Sequence, residues 1–119
     1  MRYMCLVHFE GSKMANASLA ERQDLDRRSL AYDEQLQRDG HYVVAEAIDA
    51  PETAILVRVR EGKMTTTDGP YMETKEAMAG FILIEARDMN EAIRLAGGIP
   101  LAELGTIEVR PIFQIPTPP

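Results

Sequence analysis

The first strand-like segment of the chain, Arg2 to Glu10, is apolar on both of its alternating faces and stops at Gly11. Successive side chains of a strand point to opposite faces of a sheet. One face carries Met4, Leu6 and His8, and the other carries Tyr3, Cys5, Val7 and Phe9. Strands that are apolar on both sides belong to sheets covered on both sides. This segment therefore predicts a sheet with helices on one face and a further layer on the other.

The segment from Ser18 to Gly40 predicts one long helix. Ser18 and Glu21 form a capping-box pattern, in which each side chain satisfies a free amide at the helix start. Gly40 is the expected left-handed stop. A single stripe at helical spacing predicts the face that docks on the sheet, and it consists of Leu25, Ser29, Tyr32 and Leu36.

The rest of the chain alternates between strands and helices. Strand-like segments occupy residues 41–48, 53–60, 64–68, 79–86 and 106–115, and a glycine-containing hairpin loop occupies 61–63. A second helix is predicted at 88–98, where Asp88 and Glu91 repeat the capping-box pattern. Pro111 restricts the last strand to an edge or a bulge. The order predicts a single α+β domain at residues 1–115, a ferredoxin-like split β-α-β sandwich with an extra hairpin, and an extended tail at 116–119.

The helices of a ferredoxin-like sheet cover only one face, and the apolar side chains of the other face need a cover. A second copy of the chain supplies it most simply, because symmetric pairs are the commonest assemblies of soluble proteins. The pattern therefore predicts a homodimer formed through the open sheet face.

Charge and missing motifs narrow the functional class. The net charge of −6 disfavours a nucleic-acid partner and an anionic membrane surface, both of which require basic patches. Cys5 is the only cysteine, so we expect a buried thiol rather than a disulfide or a zinc site. No signal-peptide pattern opens the chain, which predicts a cytoplasmic protein. Phosphate loops, metal-ligand spacings and nucleophile elbows are missing, so no cofactor or metal is expected.

Acid–base chemistry in such a chain depends on histidines or carboxylates. His8 is either a core histidine or a general base that lines a cleft, whereas His41 follows the end of the helix and is expected to be exposed. Asp68 opens the tight turn Asp68-Gly69-Pro70, where it either caps the turn's own amides or transfers a proton.

The residues after this turn combine an acid, an amine and a phenol. Glu73 and Lys75 are two residues apart, so an extended backbone places both on one face beside Tyr71. This arrangement could hold a small polar or anionic molecule, or it could be a solvated connection between strands.

The segment TDGPYMETKEAMAGFILIE closely resembles the signature of the DGPF family, part of the broader YCII-related proteins. The family's run is Asp-Gly-Pro-Phe followed by Glu-Thr-Lys-Glu and a glycine-led strand. The matching residues here are Asp68, Gly69, Pro70, Tyr71, Glu73, Thr74, Lys75, Glu76 and Gly80. The start YMCLV, the hairpin VRVREGK and the finish IEVRPI also resemble the family, so the resemblance extends from end to end.

The resemblance implies a ferredoxin-like domain that forms dimeric α+β barrels, similar to muconolactone isomerases and antibiotic-biosynthesis monooxygenases. Family members often have sigma-factor neighbours of the extracytoplasmic-function type, and their biochemical role is generally unassigned. A YCII-like branch includes an aromatic-ring dehydrochlorinase with a His–Asp dyad whose His lies on the first helix. That helix has no histidine here, and Ser29 is nearest to the position, so the dyad does not carry over. Tyr71 replaces the family's Phe and adds a hydroxyl.

The residues support three functional hypotheses. The first is a small-molecule enzyme of lyase or isomerase type with a site in the cleft between the sheet and the first helix. In it, His8 or Asp68 moves a proton and Lys75 holds an anionic group. The second is a non-catalytic dimeric ligand-binding or regulatory module, which the resemblance links to an extracytoplasmic-function sigma factor. The third is a mainly structural signature that places the turn and strand closing the dimer.

Overall fold

A computed structural model of residues 1–119 shows the predicted order of strands and main helices, with two differences. A short helix, which the sequence did not predict, follows the first strand, and the last strand ends at Pro111 instead of residue 115. The strands are β1 (Arg2–Phe9), β2 (Tyr42–Ala47), β3 (Ile55–Arg60), β4 (Lys63–Asp68), β5 (Ala77–Glu85) and β6 (Thr106–Pro111). The helices are α1 (Gly11–Ala15), α2 (Leu19–Arg38) and α3 (Met89–Ala96), with 3₁₀ turns at Pro51–Thr53 and Pro100–Glu103.

Four strands form one antiparallel sheet in the order β2-β5-β1-β6, and β3 pairs with β4 in a separate hairpin. The central strand β1 leads into α1 and α2, and the other central strand, β5, leads into α3. This order and these connections confirm the predicted ferredoxin-like α+β fold with an extra hairpin. None of the helices is both long and apolar enough to cross a membrane.

The core lies between the helices and one face of this sheet. The side chains of β1 alternate between buried and half-buried, and Cys5 and Ile84 are among the most completely buried residues. Cys5 pairs with Ile82 across the β1–β5 ladder. Burial raises the pKa of the Cys5 thiol to about 11, so it is neutral and unreactive at physiological pH. The prediction of a buried thiol is confirmed.

Helix α2 begins and ends where the sequence predicts. The Ser18 side chain accepts the Glu21 amide at 3.1 Å, the Glu21 carboxylate accepts the Ser18 amide at 3.3 Å, and Gly40 has a φ of +78°. Two residues of the predicted docking stripe, Leu25 and Leu36, are buried. The capping box and the left-handed stop therefore fix both ends of the helix, as expected.

Helix α3 has only half of its predicted capping box. The Asp88 side chain accepts the Glu91 amide at 2.9 Å, but the Glu91 carboxylate accepts the amide of Arg87 at 3.0 Å instead of that of Asp88. Glu91 also pairs with Arg87 at 3.0 Å and with Arg94 at 3.3 Å. These partners hold the pKa of the buried Glu91 carboxyl below its usual value, with the Arg87 amide as the main cause.

The second face of the sheet carries no helix. Register places on it Met4, Leu6 and His8 from β1, Val44 and Glu46 from β2, Phe81 and Leu83 from β5, and Thr106, Glu108 and Arg110 from β6. The β1 and β5 side chains of this set are half-buried, in contrast to the buried set on the helix-covered face. We call this the open face. It is apolar at its centre, polar along β6 and charged at Glu46 on β2.

The β3–β4 hairpin stands away from the rest of the chain. Its two strands pair from Ile55–Asp68 to Arg60–Lys63, and Glu61 and Gly62 turn the chain with φ values of 53° and 74°. Two positive φ values are typical of the tight hairpin turn that matches strand twist. The radius of gyration is 16.7 Å, whereas a compact domain of this length has about 13.5 Å. The projecting hairpin contributes to this excess.

Candidate active site

His8 lies near the end of β1 on the open face and is only partly exposed. Its Nε2 atom is 3.0 Å from Oε1 of Glu108 on the neighbouring strand β6. Beside this pair, the Thr106 hydroxyl donates a hydrogen bond of 2.8 Å to the Glu76 carboxylate. We call His8, Glu108, Thr106 and Glu76 the open-face cluster.

A carboxylate that accepts a ring N–H orients an imidazole, and the other ring nitrogen is then available as a proton acceptor. The sequence identified His8 as a candidate base but gave no sign of Glu108, because the two residues are a hundred positions apart. Only the pairing of the first strand with the last brings them together.

The remaining predicted site residues lie at the base of the hairpin and in the loop that follows it. The backbone of Asp68 pairs with Ile55, and the Gly69 amide donates to the Ala54 carbonyl at 2.8 Å. No hydrogen bond involves the Asp68 carboxylate, so it does not cap its own turn. The side chains of Tyr71, Glu73 and Lys75 are exposed and Tyr71 is 79% accessible.

A cavity of about 510 Å³ lies between α2 and the helix-covered face of the sheet. Its floor includes Val7, Ala45 and Ile82, and the 3₁₀ turn after α3 forms one wall with Ile99 and Pro100. Ten of its sixteen lining residues are hydrophobic, which together with the volume is typical of a small-molecule site. The five predicted site residues lie elsewhere, since the lining does not contain His8, Asp68, Tyr71, Glu73 or Lys75.

The cavity exists because one residue of the docking stripe is small. Leu25 and Leu36 are buried toward either end of the stripe, and Ser29 lies between them and lines the cavity. Tyr32 lines the cavity as well, and its hydroxyl donates a hydrogen bond of 2.6 Å to the Leu95 carbonyl of α3. Gly98 permits this contact, since a β-carbon there would overlap the Tyr32 ring. The helix is thus held over the sheet with a gap beside Ser29.

Asp33 lies one turn after Ser29 and also lines this cavity. Burial raises the pKa of its carboxyl above the ordinary 3.8, because desolvation penalises the charged form. The charged residues that α2 contributes to the cavity are both acidic, namely Asp26 and Asp33. Glu46 of β2 also borders it, but it pairs with Phe81, so its side chain points to the open face. No basic side chain is present there to stabilise the Asp33 carboxylate. The sequence analysis did not identify Asp33 as a site residue. The pattern that could have indicated it is a serine, Ser29, in an otherwise apolar helix stripe, followed one turn later by an acidic residue.

A second groove of about 600 Å³ lies between α3 and β6, but its lining is almost entirely aliphatic and contains no ionisable side chain. No three His, Cys, Asp or Glu side chains lie close enough together to share a metal ion. The Ser29–Asp33 side of the cavity and the open-face cluster are two places where polar groups able to bind or to transfer a proton lie at a partly buried surface.

Fold and cavity define an α+β domain of the dimeric α+β barrel fold with a small-molecule-sized space beneath its long helix. The chain belongs to the YCII-related family, because the YCII-related domain matches residues 1–116.

Two similar proteins are informative. An uncharacterised protein of Rhizobium meliloti (strain 1021) is 33% identical over 93 residues, which cover 67% of this chain and 75% of that protein. The solved structure of 5-chloro-2-hydroxyhydroquinone dehydrochlorinase from Burkholderia phenoliruptrix AC1100, in complex with 2,5-dihydroxybenzoquinone, superposes with a TM-score of 0.53. The superposition covers 95% of this chain and 94% of the other at 18% identity, and it therefore establishes likeness of fold.

Proposed function

We propose that the protein is a small-molecule enzyme of lyase or isomerase type whose site is the cavity between α2 and the sheet. The observation that carries this proposal is the Asp33 carboxyl, which lines an otherwise largely apolar cavity and has a raised pKa. Perturbed ionisable groups in clefts are concentrated at functional sites.

Asp33 would act as the proton-transfer group. A carboxylate in an apolar cavity is a stronger base than one in water, because protonation removes a poorly solvated charge. Ser29 is adjacent and supplies a hydroxyl that can orient a ligand oxygen. With acids at its border and no base, the cavity suits an uncharged polar ligand better than an anionic one.

The test uses 2-hydroxyhydroquinone, a phenol that is uncharged at neutral pH, as the binding probe and chloride release from 5-chloro-2-hydroxyhydroquinone as the reaction, since the structural neighbour is named for the chlorinated compound. We expect Asp33→Asn to retain binding by calorimetry and to lose turnover by about 10²- to 10⁴-fold, the usual contribution of a general acid or base. Ser29→Leu should abolish binding by filling the cavity.

Glu34→Gln is the matched control, because Glu34 is exposed on the same helix and does not line the cavity. Its binding and turnover should equal those of the unmodified protein. If Ser29→Leu and Asp33→Asn both leave binding and turnover unchanged, the cavity is not the site.

A second candidate site is the open-face cluster, favoured by the contact of 3.0 Å between His8 and Glu108. Here His8 would be the general base and Glu108 its orienting carboxylate. The assay distinguishes the two sites, because His8→Gln would then lower turnover while Asp33→Asn would not.

The loop after the hairpin is the proposed place for an anionic ligand group. Lys75 would supply the positive charge, beside Tyr71 and Glu73, and Asp68 would be a second proton-transfer candidate. All four side chains are exposed in the single chain. Lys75→Met should weaken binding of an anionic probe such as benzoate and leave the binding of benzyl alcohol unchanged.

A non-catalytic module remains the alternative proposal, with a regulatory role linked to an extracytoplasmic-function sigma factor. It predicts ligand binding in the cavity without turnover of any tested compound. The unpaired carboxyl of Asp33 favours the enzyme, because a pure binding site gains nothing from a destabilised acid.

We propose further that the protein is a homodimer through the open face and that it works in the cytoplasm. The apolar centre of that face, formed by Met4, Leu6 and Leu83, supports the dimer, because apolar patches of this kind are rarely left in contact with water.

A further inference from the structure

The β3–β4 hairpin has one apolar face and one basic face. Ile55, Val57 and Val59 alternate along β3, and Met64 lies opposite Val59 across the ladder. These four side chains are between 59 and 69% exposed. The other face carries Arg58, Arg60 and Lys63, none of which forms an ion pair within the chain.

An isolated two-stranded hairpin is at best marginally stable in water. This hairpin packs on no other helix or strand to an extent comparable with its own pairing, so its own chain does not stabilise the apolar face. A surface outside the chain is needed to cover Val57 and its neighbours.

Continuity with the open face indicates that this surface belongs to a second copy. The hairpin is inserted between β2 and β5, which are neighbours in the sheet and contribute Val44, Phe81 and Leu83 to the open face. The uncovered apolar side chains of the hairpin and of the sheet therefore lie on connected strands. In a dimer with two-fold symmetry, each hairpin can contact the body of the other copy, so the symmetry produces two equivalent hairpin contacts.

Charge favours the same partner. Residues 55–68 contain three basic and two acidic residues, which leaves −7 on the remainder of a chain whose total is −6. The basic tip of the hairpin is thus complementary to the body of another copy and repelled by another hairpin.

We propose that the β3–β4 hairpin is an arm that clasps a second copy of this chain, with Val57 and its apolar neighbours buried against the partner's body. This inference rests on the homodimer proposed above and adds a second contact region to it.

The test measures alkylation of a thiol placed on either face of the hairpin. Val57→Cys puts the thiol on the apolar face and Thr65→Cys puts it on the basic face of the same ladder. Cys5 can stay in place, because it is fully buried and does not react. Rates with N-ethylmaleimide are measured at protein concentrations below and above the dimer midpoint, which analytical ultracentrifugation of each variant provides.

We expect alkylation of Val57→Cys to slow at least tenfold above the midpoint, while that of Thr65→Cys changes less than twofold. Equal protection of both thiols from alkylation, or protection of neither, overturns the proposal that the hairpin clasps a second copy. Leu83→Glu, on the open face, separates this result from the sheet-face dimer. If it abolishes dimers while Val57→Cys is never protected, the sheet contact stands and the arm does not. If only monomers form at every concentration, both proposals are overturned.

Discussion

Two side chains on one helix, Ser29 and Asp33, account for the most distinctive feature of the molecule. The serine leaves space where a larger residue would complete the docking stripe, and the aspartate places an ionisable group in that space. Both choices weaken packing between α2 and the sheet. Residues that lower the stability of a fold and make no compensating structural contact are concentrated at functional sites.

The Asp33 carboxyl should make stability depend on pH in a direction opposite to that of a salt-bridged acid. Below the ordinary pKa of 3.8 both folded and unfolded chains hold it neutral, so it contributes nothing. Above the raised folded pKa, the folded chain must carry a poorly solvated charge and is destabilised. We expect Asp33→Asn to raise the free energy of unfolding at pH 7 by up to about 1 kcal/mol, a modest figure because the group is partly exposed.

Urea denaturation at pH 7 and at pH 3 measures this, with Glu34→Gln as control. The gain should vanish at the lower pH. A gain of equal size at both values would show that charge is not its cause.

Asp68 provides a separate prediction about the signature turn. If its carboxylate capped the turn, Asp68→Asn would cost stability. Because the carboxylate makes no hydrogen bond and is exposed, we expect a change within about 0.5 kcal/mol, the usual range for surface substitutions. Thermal unfolding measures the change. A loss well above this range would support the structural interpretation of the signature.

The boundaries of helix α2 are determined by its own sequence. Its capping box is complete, so Ser18→Ala should cost about 1 kcal/mol. Chemical denaturation measures the loss, and Ser12→Ala is the control, because the Ser12 hydroxyl donates only to the exposed Glu10 carboxylate. Equal losses in both variants would contradict the capping account.

The elements that sequence predicted well are those governed by local rules: the periodicity of β1, the cap of Ser18 and the stop at Gly40. Prediction failed where a residue has more than one local partner available, or where a helix begins without a sequence signature. The Glu91 carboxylate accepts the Arg87 amide rather than completing a box, and the short helix α1 has no capping signature. The cavity could not be predicted from the sequence, because its shape depends on how α2, the sheet and the turn after α3 pack together. No single segment of the sequence determines that packing.

At the scale of the whole molecule, the central prediction concerns assembly. Burial of the open face in a dimer makes folding and association one equilibrium, so Tm should rise with protein concentration. Calorimetry over a hundredfold dilution series measures this. Leu83→Glu should remove the concentration dependence, because it places a charge at the centre of the apolar face. Arg110→Glu, at the polar margin of the same face, should preserve it.

The strand β6 has a consequence for how large such an assembly can grow. It is an edge of the sheet and ends at Pro111, which lacks the amide needed to extend a ladder, and it carries the charged residues Glu108 and Arg110. Edges built this way resist pairing with strands of other molecules. The proposed pairing through the open face therefore leaves the β6 edge closed to strands of further copies, and this edge does not extend a dimer into a fibre.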